Sequence, residues 1–472
     1  MNDDAGKEAL VTFRTSQGLE CRASILRLSK HHVVTEIYAA SATLRHSEVL
    51  EDFKLFAGGQ LLYSGKAIVT KVIDSGVALV CEASLQEAWV NPELLYAGLI
   101  PERLQAEFDG FFRNWQKHFL VRSEYRLFVS ELHSFFQDLR LWLEHIELGL
   151  RSLPSSDSYK TEHDLAQELS PRALSVFQSF VDRFEDLSGD LEAETVPAHQ
   201  AYMRRHLHPL VLCSPWVYRT IMKPLGYAGD YEMVHMMFRD PLQGASLFAK
   251  VVNYCFLNQG AVKAHRNRVD YLGEKLLAEY LRTLRTGQGL RVLSIGCGPA
   301  IEVQRFLGSQ PLQNRVAFDL LDFDEEALRF AGSAVQAASQ QNSQSSVSVR
   351  LVKRTVASLI KESARSHHGT AAQYDLVYCA GLFDYLTDQV CRRLMDTGFN
   401  WLAPGGLLVA TNVTPANPCR RGMEHMLDWN LVYRDAHRMR ALRPAAGPDD
   451  FDIWSDSTGA NVWIEVRKPG HA

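Results

Sequence analysis

The sequence has no long apolar run and little excess charge of either sign. No stretch approaches the roughly 18 apolar residues that a membrane-spanning helix needs, and the polar start with Asp3 and Asp4 predicts no secretory signal peptide. The net charge is −5 and the pI is near 6.4, so we expect no basic surface for nucleic acid. These absences predict a cytoplasmic protein with neither a membrane span nor a nucleic-acid partner.

Cysteines with the spacing of a metal site are missing as well. The eight cysteines contain no C-x-x-C pair and have no histidine cluster beside them, which argues against a zinc site. Cys21, Cys81 and Cys379 fall in predicted strands, where we expect buried thiols in a reducing compartment. The sequence therefore predicts no metal.

The chain is too long, at 472 residues, to form one hydrophobic core. Its composition divides it into a β-rich region at 1–95, a helical region at 96–205 and an α/β region at 206–472. In the first region, turn signals separate five runs rich in Val, Ile, Leu and Thr, at 9–15, 20–28, 32–37, 60–73 and 76–82. Short strands at this spacing predict a small β-barrel.

Aromatic and aliphatic residues recur at helical spacing through the middle of the chain. One stripe contains Phe108, Phe111, Phe112, Trp115 and Phe119. A second contains Leu132, Phe135, Phe136, Leu139, Trp142 and Leu143, and a further helix is predicted over 162–187. Such stripes are typical of a packed core or a dimer seam, so a homodimer through this region is one expectation.

The most informative motif is a glycine-rich turn between a predicted strand at 290–295 and a helix at 300–307. The turn reads Gly296-Cys297-Gly298-Pro299, and glycine lets the backbone approach a ligand because it has no Cβ. A second apolar strand ends at Asp322, twenty-four residues after Gly298, where an acidic side chain can accept from ribose hydroxyls. Phe323 follows and is a candidate to lie against an adenine.

From these residues onward the chain resembles the class I S-adenosyl-L-methionine-dependent methyltransferases. The resemblance covers roughly residues 260–468 and includes a fourth strand at 374–379, a turn at 402–406 with a fifth strand at 407–411, and a late antiparallel strand at 462–466. It implies a Rossmann-like α/β domain that binds this cofactor. A dinucleotide dehydrogenase is the alternative, but it usually has a third glycine where this chain has Ile301.

Two segments before the first strand contain further candidates for the cofactor site. Arg268, on a predicted helix at 261–272, is placed to pair with the cofactor's carboxylate, although a solvated charged face is the alternative. The segment 222–232 is dense in Gly, Tyr and Asp, which favours a lid with Tyr227, Asp230 and Tyr231 over a small-molecule pocket. The alternative is a helix–helix corner in which Asp230 is the N-cap of the next helix.

After the fifth strand, His425, Trp429 and Tyr433 recur every four residues and are predicted to share one helix face. The ring N–H groups of His425 and Trp429 are suited to orient a substrate carboxylate. The alternative is an aromatic stripe on the sheet, with His425 satisfied by a backbone carbonyl. If this face is functional, we expect the acceptor pocket between it and the 223–232 loop.

The N-terminal layout resembles a PilZ domain, a bacterial module that binds cyclic di-GMP. The family's R-x-x-x-R pair is absent near the start, and its second motif is reduced to Arg27-Leu28-Ser29-Lys30-His31-His32. Because this ligand needs arginines for its phosphates and guanines, a degenerate barrel kept for packing or protein contact is favoured over nucleotide sensing.

Over most of its length the chain also resembles bacterial proteins assigned to biosynthesis of the 3-hydroxypalmitic acid methyl ester signal of quorum sensing. The resemblance rests on KPLGYAGDYEM at 223–233, MEHMLDWNLVYRD at 423–435 and the order of the three regions. It implies O-methylation of a hydroxy fatty acid carboxylate, which needs no general base because it is anionic at pH 7. Alternatives are a phenol or protein carboxylate acceptor, a hydroxyl acceptor with His425 as base, and a cyclic di-GMP-linked regulatory protein whose methyltransferase fold only binds ligand.

Overall fold

The structure is a computed structural model, and it describes residues 10–28, 32–37, 44–57, 60–74, 79–85, 121–150, 155–309, 312–340, 347–365 and 373–470. The chain forms two compact units, each assembled from segments that are not contiguous in sequence. The first unit comprises 1–228, 242–257 and 419–430, and the second comprises 229–241, 258–418 and 431–472. The predicted fold class is confirmed: a β-barrel, a helical region and an α/β sheet.

Six antiparallel strands at the start of the first unit close into a barrel in the order β1-β2-β3-β6-β5-β4. They are β1 Leu10–Arg14, β2 Glu20–Leu28, β3 His32–Ile37, β4 Val49–Ala57, β5 Gln60–Asp74 and β6 Leu79–Leu85. The sequence analysis missed β4. Phe53 and Leu55 alternate with polar residues there, but Asp52 has φ +48 and the pairing register shifts beside it, which breaks the alternation on which the prediction depends.

The described residues of the first unit also form six helices. They are α1 Ser123–Leu150, α2 Ser155–Ser188, α3 Val196–Val211, α4 Pro215–Met222, α6 Leu247–Leu257 and α12 Arg420–Met426. The predicted stripe at 108–119 lies outside the described residues, whereas the helix predicted over 162–187 is present within α2. Helix α3 runs without interruption through 205/206, where the sequence analysis divides two regions, and that division stays a prediction.

The aromatic stripe of α1 is buried in part. Phe128 packs on Phe184 and Phe136 packs on Phe177, with ring centroids 5.2 Å and 5.6 Å apart. Trp142, predicted in the same stripe, is instead 52% exposed within the described residues. A homodimer through this helix stays a prediction.

The loop at 44–48 and the start of β4 are hydrogen-bonded to the helical part of the same unit. The Ser47 hydroxyl donates to the Asn430 carbonyl at 2.9 Å and accepts from the Asn430 N–H at 2.6 Å. Val49 N–H donates to the Gly226 carbonyl at 2.6 Å. Because Ser47 is fully buried, water cannot replace its two hydrogen bonds.

Replacing Ser47 by Ala should therefore lower the free energy of unfolding by ~1–3 kcal/mol, since it leaves the N–H of the half-buried Asn430 without its acceptor. Urea unfolding of the full chain measures this. Ser24→Ala, at an exposed position on β2, is the matched control. Equal midpoints for the two variants would contradict the role given to Ser47.

The second unit is built on a seven-stranded sheet in the order β12-β13-β11-β10-β7-β8-β9. The strands are β7 Leu290–Ile295, β8 Val316–Asp322, β9 Val347–Lys353, β10 Tyr374–Ala380, β11 Leu402–Val413, β12 Asp452–Ser455 and β13 Asn461–Arg467. β7 to β11 are parallel, and β13 is antiparallel to both β11 and β12. This is the order expected of the class I methyltransferase fold, including the reversed late strand.

Helices cover both faces of this sheet, with one apolar core on each face. They are α5 Tyr231–Met236, α7 Gly260–Arg285, α8 Ile301–Ser309, α9 Glu325–Ser339, α10 Val356–Arg365, α11 Asp388–Asn400 and α13 Ala436–Arg440, with a 3₁₀ turn at Phe383–Tyr385. Strand β7 is buried on both sides except at Arg291, as a central parallel strand requires. In the part of the chain that the structure describes, no helix combines the length and the apolar character needed to cross a bilayer.

Candidate cofactor site

The glycine-rich turn lies at the carboxyl end of β7. Gly296 and Gly298 have φ +71 and +50, in the left-handed region that favours glycine. The N–H groups of Gly296 and Cys297 both donate to the Leu321 carbonyl, at 2.8 Å and 3.0 Å. Helix α8 begins at Ile301 and not at the predicted residue 300, because Ala300 has φ +51 and is not helical.

Asp322 connects this turn to the next one. It ends β8 and is only 7% exposed. Its Oδ2 accepts from the Gly298 N–H at 3.0 Å and its Oδ1 accepts from the Asp324 N–H at 3.1 Å. A carboxylate has about four lone-pair sites, so accepting from these two backbone donors is compatible with accepting from a ligand as well.

The neighbours of Asp322 include a buried cysteine, a helix N-cap and a half-exposed phenylalanine. Cys297 is buried, and burial raises the pKa of its thiol well above the usual value, so only its backbone is suited to a ligand. Asp324 is the N-cap of α9 and accepts from the Glu326 N–H at 2.8 Å. Phe323, between the two aspartates, is half-exposed.

Arg268 on α7 lies at the same edge of the sheet and is 5% exposed. Its Nη2 donates to Asn461 Oδ1 at 2.9 Å and is 3.7 Å from Asp384 Oδ2. Its Nε is buried and has no hydrogen-bond partner among the described residues. Arg268 therefore retains a buried donor that a bound anionic group can satisfy.

Sequence reasoning missed Gly381, which follows β10 and lies against this arginine. Gly381 has φ +94, and a Cβ on it would lie 2.4 Å from Arg268 Nη1. The signal was present, since this glycine directly follows a buried parallel strand, as Gly296 does. Asp384 was missed as well; burial raises the pKa of its carboxyl, while Arg268 lowers it.

These groups meet where the strand order of the sheet reverses. From β7 the chain proceeds to β8 and β9 on one side, and β10 and β11 lie on the other. Open α/β sheets bind ligands outside the carboxyl ends of the strands at this point. The structure thus brings Gly296, Gly298, Asp322 and Arg268 to the edge of the sheet that suits a nucleotide-like ligand.

The lid candidates do not form one described group. Asp230 is the N-cap of α5 and accepts from the Met233 N–H at 2.8 Å, so that interpretation of it is confirmed. The Tyr231 hydroxyl donates to Glu326 Oε1 at 2.9 Å within the second unit. Tyr227 belongs to the first unit and is half-exposed.

The predicted face of His425, Trp429 and Tyr433 is wrong. Helix α12 ends at Met426, because Asp428 takes φ +51 and cannot continue a right-handed helix. Trp429 N–H then donates back to the Met423 carbonyl at 3.0 Å. His425 and Trp429 belong to the first unit and Tyr433 to the second.

His425 is fully buried in the helical part of the first unit. Its Nδ1 is hydrogen-bonded to the Tyr125 hydroxyl at 2.9 Å, and its ring packs edge-on against Phe184. Burial, together with the charge of Arg204, lowers its pKa to about 3. His425 is therefore a neutral imidazole at neutral pH.

Arg434, which follows the predicted face, is a buried structural residue. It donates to Asp388 Oδ1 at 2.8 Å and to Asn412 Oδ1 at 2.6 Å. It also donates to the carbonyls of Phe383 and Leu386, at 2.8 Å and 2.6 Å. These bonds hold the loop after β10, and hence Asp384, against the end of β11.

Comparisons with known proteins add likenesses to solved structures. No family model and no curated protein matches the chain. A possible exported protein from Bordetella parapertussis is 21% identical over 64% of this chain and 97% of that one, with a TM-score of 0.41. The S-adenosylmethionine-dependent methyltransferase SibL is 15% identical over 71% and 96%, with a TM-score of 0.34. An O-methyltransferase family protein from Burkholderia thailandensis is 13% identical over 67% and 97%, with a TM-score of 0.33. TM-scores this low support no inference by themselves.

The contact between Gly381 and Arg268 leads to a stability prediction. Gly381→Ala introduces a left-handed non-glycine residue, at about 1–2 kcal/mol, and also displaces the guanidinium. The matched control is Gly459→Ala, with φ +70 and nothing within 4 Å of its added Cβ, which has only the backbone cost. Chemical denaturation should show a larger loss for Gly381→Ala; equal losses would mean that Arg268 is not held against this glycine.

Proposed function

We propose that this chain is an S-adenosyl-L-methionine-dependent methyltransferase that methylates the carboxylate of a small acid, with a hydroxy fatty acid as the leading acceptor. The main support is the hydrogen bond between Gly298 and Asp322, which couples the first two strand–helix turns in a sheet of class I order. Phenol and protein-carboxylate acceptors remain alternatives.

The described residues fit the parts of this cofactor. The backbone at Gly296 and Gly298 allows close approach, and Asp322 supplies carboxylate oxygens suited to the ribose hydroxyls. Phe323, which follows Asp322, is our candidate to lie against the adenine. The buried, unpartnered Nε of Arg268 is a donor for the methionyl carboxylate, as in a charge-assisted hydrogen bond.

The methyl transfer itself requires little chemical assistance from side chains. When bound, the cofactor supplies a methyl group activated on a sulfonium. The protein has to align the acceptor and exclude water. His425 is too weak a base, with a pKa of about 3, to deprotonate a hydroxyl acceptor, which favours an acceptor that is already ionised. The sequence candidates for contacts to the acceptor stay individual predictions, because the helix face that would group the first three of them is not formed; they are His425 as an N–H donor, Trp429, Tyr433, Tyr227 and Tyr231.

The barrel, on this proposal, serves packing and not nucleotide sensing. Its loop at 44–48 and the start of β4 already make the hydrogen bonds to Asn430 and Gly226 described above. Arg27, which replaces the acidic or amide residue of the second PilZ motif, is exposed on β2. An exposed single arginine lacks the paired arginines that cyclic di-GMP needs.

Replacing Asp322 by Ala should weaken binding of S-adenosylmethionine by ~2–3 kcal/mol, which is the scale of hydrogen bonds to a charged group. Calorimetric titration of the full chain measures this. Asp324→Ala is the control in the same turn, because it removes an N-cap at a stability cost of about 1 kcal/mol while leaving the ribose acceptor in place. Full affinity in the Asp322 variant would overturn the cofactor assignment.

The turnover rate kcat, measured with S-adenosylmethionine and 3-hydroxypalmitate, should stay flat above about pH 6 because no base has to ionise.

The low pKa of His425 instead affects the stability of the fold. Below the ordinary histidine pKa of 6.5 the unfolded chain binds a proton there, and the folded chain does so only near pH 3, so this site lowers stability as the pH falls between these values. His425→Asn should reduce that acid sensitivity and leave the kcat profile flat. A rise of kcat with pH that disappears in His425→Asn would favour a hydroxyl acceptor.

A further inference from the structure

Lys223, at the start of the KPLGYAGDYEM segment, is a buried lysine whose ammonium lacks a hydrogen-bond acceptor. It is 3% exposed, and its Nζ has no hydrogen-bond partner among the described residues. Lysine is almost never fully buried unless it is paired. Burial lowers its pKa to about 8, which reflects an ammonium that its surroundings do not satisfy.

The backbone at Lys223 is also unusual. The residue caps α4 with φ +44, a left-handed position that glycine usually occupies. Asp428, whose charge acts on Lys223, has φ +51. Both Lys223 and Asp428 have a left-handed backbone that favours glycine, and their side chains have opposite charges. We take this as an indication that the side chains, and not the backbone conformations, are the reason for these two residues.

The carboxylate that acts on Lys223 is already occupied. Arg204 Nη2 donates to Asp428 Oδ1 at 2.9 Å. His208 Nε2 donates to the Met426 carbonyl at 2.9 Å, and burial lowers its pKa, so it adds no charge at neutral pH. Arg204 also donates to the carbonyls of His425 and Glu424, at 3.0 Å and 3.2 Å. Asp428 is therefore ion-paired with Arg204, and Lys223 is left as a buried cation whose ammonium has no acceptor among the described residues.

We infer that Lys223 is the anchor of a buried site for the carboxylate of a small monoanionic acid. A carboxylate supplies the negative charge and the acceptors that the Lys223 ammonium lacks. A buried excess charge is costly until it is paired. The site lies within the first unit, and the inference goes beyond the proposed methyl transfer because it requires no cofactor.

Lys250 provides a matched comparison in the same unit. It is similarly buried, at 9% exposure, but it forms an ion pair with Glu162. Its charge is therefore satisfied by the protein, and no external anion is needed. A substitution there removes a buried lysine without removing the inferred site.

The test is calorimetric titration and thermal unfolding of the full chain at pH 7 in carboxylate-free buffer, with sodium acetate, sodium octanoate and the neutral octanamide. We expect a saturable rise in Tm with acetate or octanoate and none with octanamide. Lys223→Met should weaken the acid's apparent affinity at least about tenfold and leave Tm without acid unchanged or higher, since it removes an unpartnered charge. Lys223→Gln serves if the methionine variant does not fold.

Lys250→Met should lower Tm by breaking its ion pair and leave the response to the acids intact. If Lys223→Met lowers Tm as Lys250→Met does and keeps the acid response, Lys223 is only a structural partner of Asp428 and the inference fails. It fails as well if neither acid acts on the wild type, or if inorganic phosphate acts through Lys223 and the acids do not.

Discussion

The hydrogen bond from the Gly298 N–H to the Asp322 carboxylate is the interaction on which the candidate cofactor site depends. It joins two turns that are distant in sequence and adjacent only because β7 and β8 pair in parallel. The same carboxylate also accepts from Asp324, which begins α9. One side chain thus fixes the entry of a helix and the position of a glycine turn, and its oxygens are also suited to a ligand.

Arg268, on the other side of the candidate site, is positioned indirectly. Arg434 holds the loop after β10 through carbonyls and amides, and that loop contains Asp384, which faces Arg268. Gly381 leaves room for the guanidinium. The arginine on α7 is therefore positioned by residues that never need to touch a ligand, and a change at any of them reaches the site through Arg268.

The parts of the fold and of the candidate site that could be predicted are those whose sequence signals lie close together along the chain. The strands, the glycine turn and Asp322 came from local apolar periodicity and turn chemistry, which a single strand–helix unit already expresses. The prediction that His425, Trp429 and Tyr433 share a helix face was wrong because one left-handed residue, Asp428, ends the helix. The four-residue spacing of the three side chains cannot reveal that. Gly381 and Lys223 owe their significance to partners more than a hundred residues away or to a lack of partners, which periodicity does not record.

The discontinuous composition of the first unit has a consequence for how the chain is made. Its core includes Tyr125 and His425, which meet across 300 residues of sequence, and α12 is supplied only after most of the second unit has been synthesised. The helical part of the first unit therefore cannot complete its packing while the ribosome is still translating the sheet. Contacts of such long sequence separation slow folding, so the helices that pack on α12 expose apolar surface until it is translated. A chaperone or early folding of the sheet is of most use in that period.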